Sequence, residues 1–422
     1  MKADPAKSVS PAQNHADTVS SLANPFAGAA ELSADVLIEN VLARNPSLAQ
    51  MVAAWQAASA RYPQVISLDD PMFGFMAAPA SIGSNDVEFG YRLEIAQKLP
   101  FCGKRELRGQ GALAEASAAG HDVNDMRLQL MESTRSALAD YYLAERALAV
   151  NREGLNLLRS FRGRARERYE KVPGANEQDV LQADVELGRQ EQTEITLARA
   201  RAVASARINT LLHQALESRL PPPPQELTVR ADLPEAAKLN ALALANRPDL
   251  QALADRIRAE EASLGLAEKE YYPDVEVSAA YDTIMGNGPM RDLAPQVGVR
   301  VNVPLQRSRR EGAVAEAQAR LAQRRAELAR QTDQVSFQVH EAHAQVRESQ
   351  GILRLYQEKL LPAARGNIKA AETSYVGGRI PFVSLIEAQR NLVELQDRFY
   401  EAQAELYRRW AMLERVVGSP AD

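Results

Sequence analysis

The chain has 422 residues, a formal net charge of -5, 25% charged and 5% aromatic residues, and one cysteine, Cys102. Alanine dominates its apolar set beside many Glu, Gln, Arg and Leu, a mixture that suits long, closely packed helices. No basic domain stands out, which argues against nucleic acid. A single cysteine forms no intramolecular disulfide, and no run of 18 apolar residues supplies a transmembrane helix. If the chain enters a membrane, it must do so as a closed β-barrel.

Residues 1–33 read as a polar leader or linker. Met1 to Pro25 contains no apolar secretory core. A removed signal, a truncated start and a cytoplasmic protein are all compatible with that stretch.

A first repeat is read over 34–220. Asn45-Pro46 opens a helix that leads to Tyr62-Pro63, and strands follow at about Pro71–Ala77 and Val87–Gln97. The segment between them is rich in Gly, Ser, Asn and Pro, so the pair reads as a hairpin. After Leu99-Pro100 comes the basic pair Lys104-Arg105 and then a proline-free stretch from Gly103 to Lys171. About 65 helical residues span roughly 100 Å, the dimension of a tunnel wall rather than a compact domain. The turn Val172-Pro173-Gly174-Ala175 sends the chain back through a helix that runs to about His213. Pro221 to Pro224 then form a stiff connector over 221–235.

The second repeat, over 236–417, follows the same plan at an offset near 205 residues. Arg247-Pro248 opens a helix that leads to Tyr272-Pro273. Strands are expected at Val275–Asp282 and Gln296–Pro304, followed by the basic run from Arg307 to Arg310. Val314, Leu321, Leu328, Val335 and Ala342 recur every seven residues, joined by Val339 and Val346, which is coiled-coil spacing. Pro362 is expected to kink or break this helix. A turn at Val376-Gly377-Gly378-Arg379-Ile380-Pro381 leads into a return helix to Glu414, and 418–422 is a tail. Both helical tips should point the same way, opposite the strand loops.

Four strands cannot close a barrel, and an open edge is forbidden in lipid. The chain must therefore pool strands with copies of itself. Three copies would give twelve strands, which leaves an open lumen.

Taken together and in order, the duplicated Asn-Pro and Arg-Pro helix starts, the strand exits at Pro100 and Pro304, the turns Val172-Pro173-Gly174 and Val376-Gly377-Gly378, and the helix starts Val180-Leu181-Gln182-Ala183 and Leu385-Ile386-Glu387-Ala388-Gln389-Arg390 resemble the TolC-type outer-membrane efflux family, from about Ala34 to Val417. The segment Lys98-Leu99-Pro100-Phe101, followed by Gly103-Lys104-Arg105, is similar to its metal-efflux branch.

The resemblance implies a mainly α fold with a small membrane β-barrel portion. Long helical hairpins form a periplasmic tunnel, and four strands per protomer join a twelve-stranded trimeric barrel in the outer membrane. It implies a homotrimer that contacts outer-membrane lipid, a periplasmic adaptor and an inner-membrane pump such as an RND transporter, with no nucleic acid. By position, Val172, Pro173, Gly174, Val376, Gly377 and Gly378 correspond to adaptor-docking tips, with Pro173 where glycine is usual. Arg379, Gln178 and Asp179 correspond to a latch of the closed entrance; an Asp179–Arg379 pair in water contributes about 0–1 kcal/mol, suited to a latch that opens. Ser384 and Glu387 correspond to two acidic constriction positions one helical turn apart, with Ser384 departing from the pattern.

The remaining features read as packing or surface. His340, Glu341 and His343 do not make the His-Glu-x-x-His zinc pattern and read as ordinary helix histidines. Cys102 reads as an interfacial or buried thiol rather than a lipid site. The basic clusters suit lipid headgroups and solvated helix starts equally. No nucleophile–base pair or phosphate loop is visible, so no enzyme, cofactor or metal site is expected. The competing reading is a soluble or filament-forming coiled-coil protein. It gives no reason for two hairpins at equivalent points of the repeats.

Overall fold

The computed structural model describes residues 26, 29–77, 79, 89–101, 103–171, 176–230, 232–284 and 295–418. The first repeat contains α1 (Ala34–Arg44), α2 (Pro46–Ser59), α3 (Arg61–Ile66), β1 (Met72–Ala77), β2 (Phe89–Leu99), α4 (Lys104–Lys171) and α5 (Gln178–Leu211). The second contains α6 (Ala236–Asn246), α7 (Pro248–Lys269), β3 (Val275–Ile284), β4 (Gln296–Val301), α8 (Arg307–Leu355), a π-helical turn at Tyr356–Leu360, α9 (Leu361–Val376) and α10 (Phe382–Val417). The same order of elements thus occurs twice, apart from α3 in the first repeat and the π-turn that divides the ascending helix of the second into α8 and α9. Two compact units cut across the repeats: Met1–Gln50, Asn124–Arg247 and Gln334–Asp422 form one, and Met51–Val123 and Pro248–Asp333 the other.

Several boundaries differ from the sequence reading. β2 runs to Leu99 rather than Gln97, and β4 stops at Val301 rather than Pro304; the start expected for β2 at Val87 lies outside the described residues. Pro63 does not end a helix. It sits in the first turn of α3, where a missing N–H goes unused. The expected break at Pro362 takes a specific form. Proline cannot donate to the carbonyl of Glu358, and the ladder widens so that the Leu361 N–H donates to the Tyr356 carbonyl. Pro362 then occupies the first turn of α9, in line with π-turns as a source of kinks.

In the second unit the sheet is antiparallel, in the order β1-β2-β3-β4. Its central seam joins the repeats: β2 pairs with β3 from Leu99↔Val275 to Tyr91↔Thr283. That seam is locked at its base. Asp274 Oδ1 accepts from the Phe101 N–H at 2.9 Å and from Lys104 Nζ at 2.9 Å. The Lys104 side chain is 1% exposed and also donates to the Tyr272 carbonyl at 3.2 Å. Phe101 and Tyr272 stack with ring centroids 4.7 Å apart, and Lys269 sits over both rings. Burial pushes the Asp274 carboxyl up, but Lys104 and the Phe101 amide outweigh it and hold it below its ordinary value. Gly103, with φ of 89°, makes the left-handed bend from strand exit to helix. Above the lock, a Cβ on Gly265 of α7 would lie 3.3 Å from Leu107 of α4, which shows how closely these two helices approach.

In the first unit, Leu158, Phe161 and Ala165 of α4, Ala183 of α5, Ile368, Ala371 and Tyr375 of α9, and Phe382, Leu385 and Ile386 of α10 make one buried cluster. Val335, Val339, Ala342 and Val346 of the heptad stripe are buried, while Val314 and Leu328 are half-buried. The polyproline connector adopts neither helix nor strand. It lies against α4 and the N-terminal segment: the Tyr141 hydroxyl donates to the Pro221 carbonyl, and the Leu32 N–H to that of Pro222.

Two outcomes test these interactions. Asp274→Ala leaves the Lys104 ammonium buried without its main partner and should cost about 3 kcal/mol in denaturant unfolding; adding Lys104→Met should recover part of that loss, and no loss in the single variant would refute the lock. Asp397 of α10 has a buried Oδ1 without a hydrogen-bond partner among the described residues. Burial raises its carboxyl to about 6, against the pull of Arg398 and with a further push from Glu401. A folded value above the unfolded value of about 3.9 means that the ionised form destabilises the fold at neutral pH, and stability returns as pH falls through about 6. Asp397→Asn should therefore melt higher than wild type at pH near 7.5, with the gap closing in mildly acidic buffer.

Candidate functional site

Two surfaces carry the chemistry expected from the sequence: the sheet of the second unit and the helical tips of the first.

The sheet is amphipathic in an inverted sense. On one face lie Phe73, Phe75, Ile95, Val297, Val299 and Val301, each at least half exposed. On the other face Arg92 lies 3.6 Å from Asp282, Arg300 lies 2.9 Å from Glu276, and Arg300 also pairs with Glu94. Strand alternation produces this split because the side-chain period is two. Water would leave the apolar face uncovered, whereas hydrocarbon would solvate it. None of the described helices is long and apolar enough to cross a membrane.

At the tips, α9 ends in a Schellman motif. The Arg379 N–H donates to the Ser374 carbonyl at 2.9 Å, and the Gly378 N–H to that of Tyr375 at 3.0 Å. Gly378 takes φ of 70°, a left-handed position that favours glycine, and Pro381 follows where the helix cannot continue. Val376, Gly377, Gly378 and Arg379 are exposed there. Val172, Pro173 and Gly174, and likewise Cys102, lie outside the described residues.

Behind the exposed turn stands Tyr375, 2% exposed. Its ring meets Phe382 edge-on at 5.3 Å. Arg168 of α4 lies over that ring at 5.1 Å and donates to the Tyr375 carbonyl at 3.0 Å. The Tyr375 hydroxyl donates to Asp179 Oδ2 of α5 at 3.1 Å. Burial first, then the Asp179 charge, raises this phenol to about 12 against the opposing pull of Arg168, so it stays protonated as a donor. All four helices therefore meet at one tyrosine. Within one protomer the Asp179 carboxylate takes the Tyr375 hydroxyl, and no ion pair between Asp179 and Arg379 is present. Gln178 is exposed, with its backbone N–H bonded to Asn176 Oδ1 at 3.0 Å.

Ser384 and Glu387 line one groove with Asn367, Ser374 and Asn391, Ser384 half-buried and Glu387 exposed. One turn onward, Arg390 makes two hydrogen bonds to Glu186, tying α10 to α5. Sequence reasoning missed Tyr375, Arg168 and the Arg390–Glu186 pair. The tyrosine next to the Val-Gly-Gly turn was the one available signal. The other two are partners more than 200 positions apart. His340 is exposed and His343 half-buried on α8.

Comparison with known proteins places this geometry. A family model described as outer membrane efflux protein matches residues 37–213 and 239–419. The chain belongs to the outer membrane efflux protein family. It is similar to the toluene efflux pump outer membrane protein TtgF of Pseudomonas putida, 29% identical over 208 residues, which is 46% of this chain and 40% of that protein. The aligned segment thus covers less than half of that relative's length. Among solved structures, VceC of Vibrio cholerae has a TM-score of 0.76 at 20% identity, covering 92% of this chain and 97% of that one. The outer-membrane channel OprN has a TM-score of 0.72 at 22% identity, covering 92% and 90%. These likenesses establish the fold: mostly helical, with a helical tunnel portion and a small barrel portion.

Gly378→Ala places a Cβ in the left-handed region and against Arg168, 3.3 Å away, at a cost of about 1 kcal/mol. Trypsin should then cut after Arg379 faster than in wild type, with the far-UV spectrum unchanged; equal rates would show that the turn does not depend on this glycine.

Proposed function

We propose that the protein is the outer-membrane channel component of a tripartite efflux or secretion system, a passive conduit without catalytic chemistry, extending into the periplasm. The observation that carries this reading is the sheet with its apolar face exposed, its charges paired on the opposite face and both edges open. Family membership points the same way. A soluble filament would leave Phe73, Phe75 and the valines of β4 in water.

The reading includes a homotrimer, because three sheets of four strands give a closed barrel of twelve. The repeated order of elements and the two matched stretches support an internal duplication. Energy comes from an inner-membrane pump such as an RND transporter, reached through a periplasmic adaptor. The adaptor docks on the tips, with Val376, Gly377 and Gly378 in the second turn and Val172, Pro173 and Gly174 in the first.

The entrance latch is Asp179 with Gln178 and Arg379. Asp179 accepts from Tyr375 within its own chain, and Arg379 is exposed beside the same turn; in this reading Arg379 meets an adjoining copy. A neutral hydrogen bond contributes about 1 kcal/mol and an exposed ion pair less, so neither prevents opening. Ser384 and Glu387 form the constriction, where three Glu387 carboxylates favour cations.

Single-channel recording in planar bilayers tests the assignment. Wild type should give a small, cation-selective conductance, Arg379→Ala and Tyr375→Phe a larger one, and Glu387→Gln a weaker preference for cations. Folded protein that neither inserts nor conducts would refute the conduit. Unchanged conductance in Arg379→Ala would remove that residue from the latch.

A further inference from the structure

In the first unit, the start of α1, the connector and facing turns of α4 and α10 enclose a cavity of about 440 Å³. One chain supplies these walls, and all of them belong to the same compact unit. The local sequence keeps the space open. Pro221 to Pro224 stiffen the connector, and a polyproline segment cannot coil down to fill the gap beside it. Immediately after the prolines, Leu227 packs with Tyr142, Ala404 and Tyr407, which anchors the connector to the helices.

The floor of the cavity is aromatic and apolar. Trp410 and Tyr407 of α10 are 4% and 8% exposed, and the buried Leu138 and Leu227 line the same space. The Trp410 indole N–H has no hydrogen-bond partner among the described residues. A buried donor left unpaired destabilises a fold, and nearly all such groups in native proteins find an acceptor. Trp410 thus marks a place for an acceptor that the described chain does not itself supply.

The rim is acidic. Glu31, Asp35 and Glu226 line the cavity and are exposed. The less exposed Arg135 pairs with Glu414, so those two charges offset each other. Arg230 is the other lining cation, which leaves four carboxylates facing two guanidinium groups and a negative balance. Burial raises the Tyr407 phenol above its ordinary value, Arg135 opposes that shift and Asp35 adds to it, so both charges are felt at the aromatic floor.

We infer that this cavity binds a small organic amine, cationic at neutral pH, that carries a carbonyl or ether oxygen. Each part of such a ligand answers one feature of the site. The ammonium meets the carboxylates of the rim, the oxygen accepts from the Trp410 indole, and the carbon skeleton covers Tyr407, Leu138 and Leu227. A bare metal ion would leave the indole and the apolar floor without partners, and an anion would meet the acidic rim. The volume suits a molecule of drug size. Binding here does not depend on conduction, because the walls come from one chain.

Trp55 and Trp410 are the two tryptophans of the chain, and Trp55 lies in the other unit. Full-length protein with Trp55→Phe therefore reports on Trp410 alone. Titration with lidocaine, an aromatic tertiary amine with an amide carbonyl, should change the Trp410 emission saturably. Asp35→Asn combined with Glu226→Gln should weaken the apparent Kd at least about tenfold, with the unliganded melting temperature checking that this variant is folded. Two truncated probes, 2,6-dimethylacetanilide without the amine and benzyltriethylammonium without the oxygen, should each bind the parent at least about tenfold more weakly than lidocaine. No saturable change in emission overturns the site. Equal affinity in the folded charge-neutralised variant overturns recognition by the rim, and equal affinity for either truncated probe overturns the ligand class.

Discussion

A two-stranded hairpin is marginal in water, and among the described residues each repeat of this chain holds one. The sheet therefore depends on the seam between β2 and β3, where strands from different repeats exchange ladder hydrogen bonds. The seam needs a fixed base, and the Asp274 carboxylate supplies it by accepting from a backbone amide of one repeat and from a buried lysine. Register then follows, and with it the separation of apolar from charged side chains. A slip by one residue would exchange the two faces of the strand.

The tips obey a different constraint. Long helices packed through alanine have little to fix their relative rotation, because small side chains interlock weakly. Tyr375 supplies a point of reference. Its ring fills the space among four helices, its hydroxyl reaches Asp179, and its carbonyl is capped by Arg168. The Schellman turn that follows exposes Val376 and Arg379 while holding the backbone behind them. A rigid support beneath an exposed, glycine-bearing turn suits a surface that meets other proteins.

Much of this was legible in the sequence, because the relevant physics is periodic. Alternation in Val297, Val299, Val301 and Val303 gives a half-apolar strand, and seven-residue spacing from Leu321 to Val346 gives a packed helical face. The repeat of helix starts, strand exits and Val-Gly turns gives the order of elements and the resemblance to the efflux family. Glycine at 378 and proline at 381 mark the end of a helix by their backbone limits alone. What local signals determine least well is where elements stop. Pro63 lies within a helix rather than after one, and Pro362 is accommodated by a π-turn, because the identity of a residue does not say which turn of a helix it will occupy.

The pairings between distant residues were decided by tertiary structure alone. Lys104 with Asp274, Tyr375 with Asp179, and Arg390 with Glu186 join positions about 170 to 200 apart. Nothing in a charge or a ring announces its partner, since a hydrogen bond or ion pair depends on distance after folding and not on spacing along the chain. The sequence by itself determined the elements, their order and their apolar faces, through short-range sterics and periodicity. Which side chains meet, and so which atoms lock the sheet and support the tips, was settled only when the helices and strands packed.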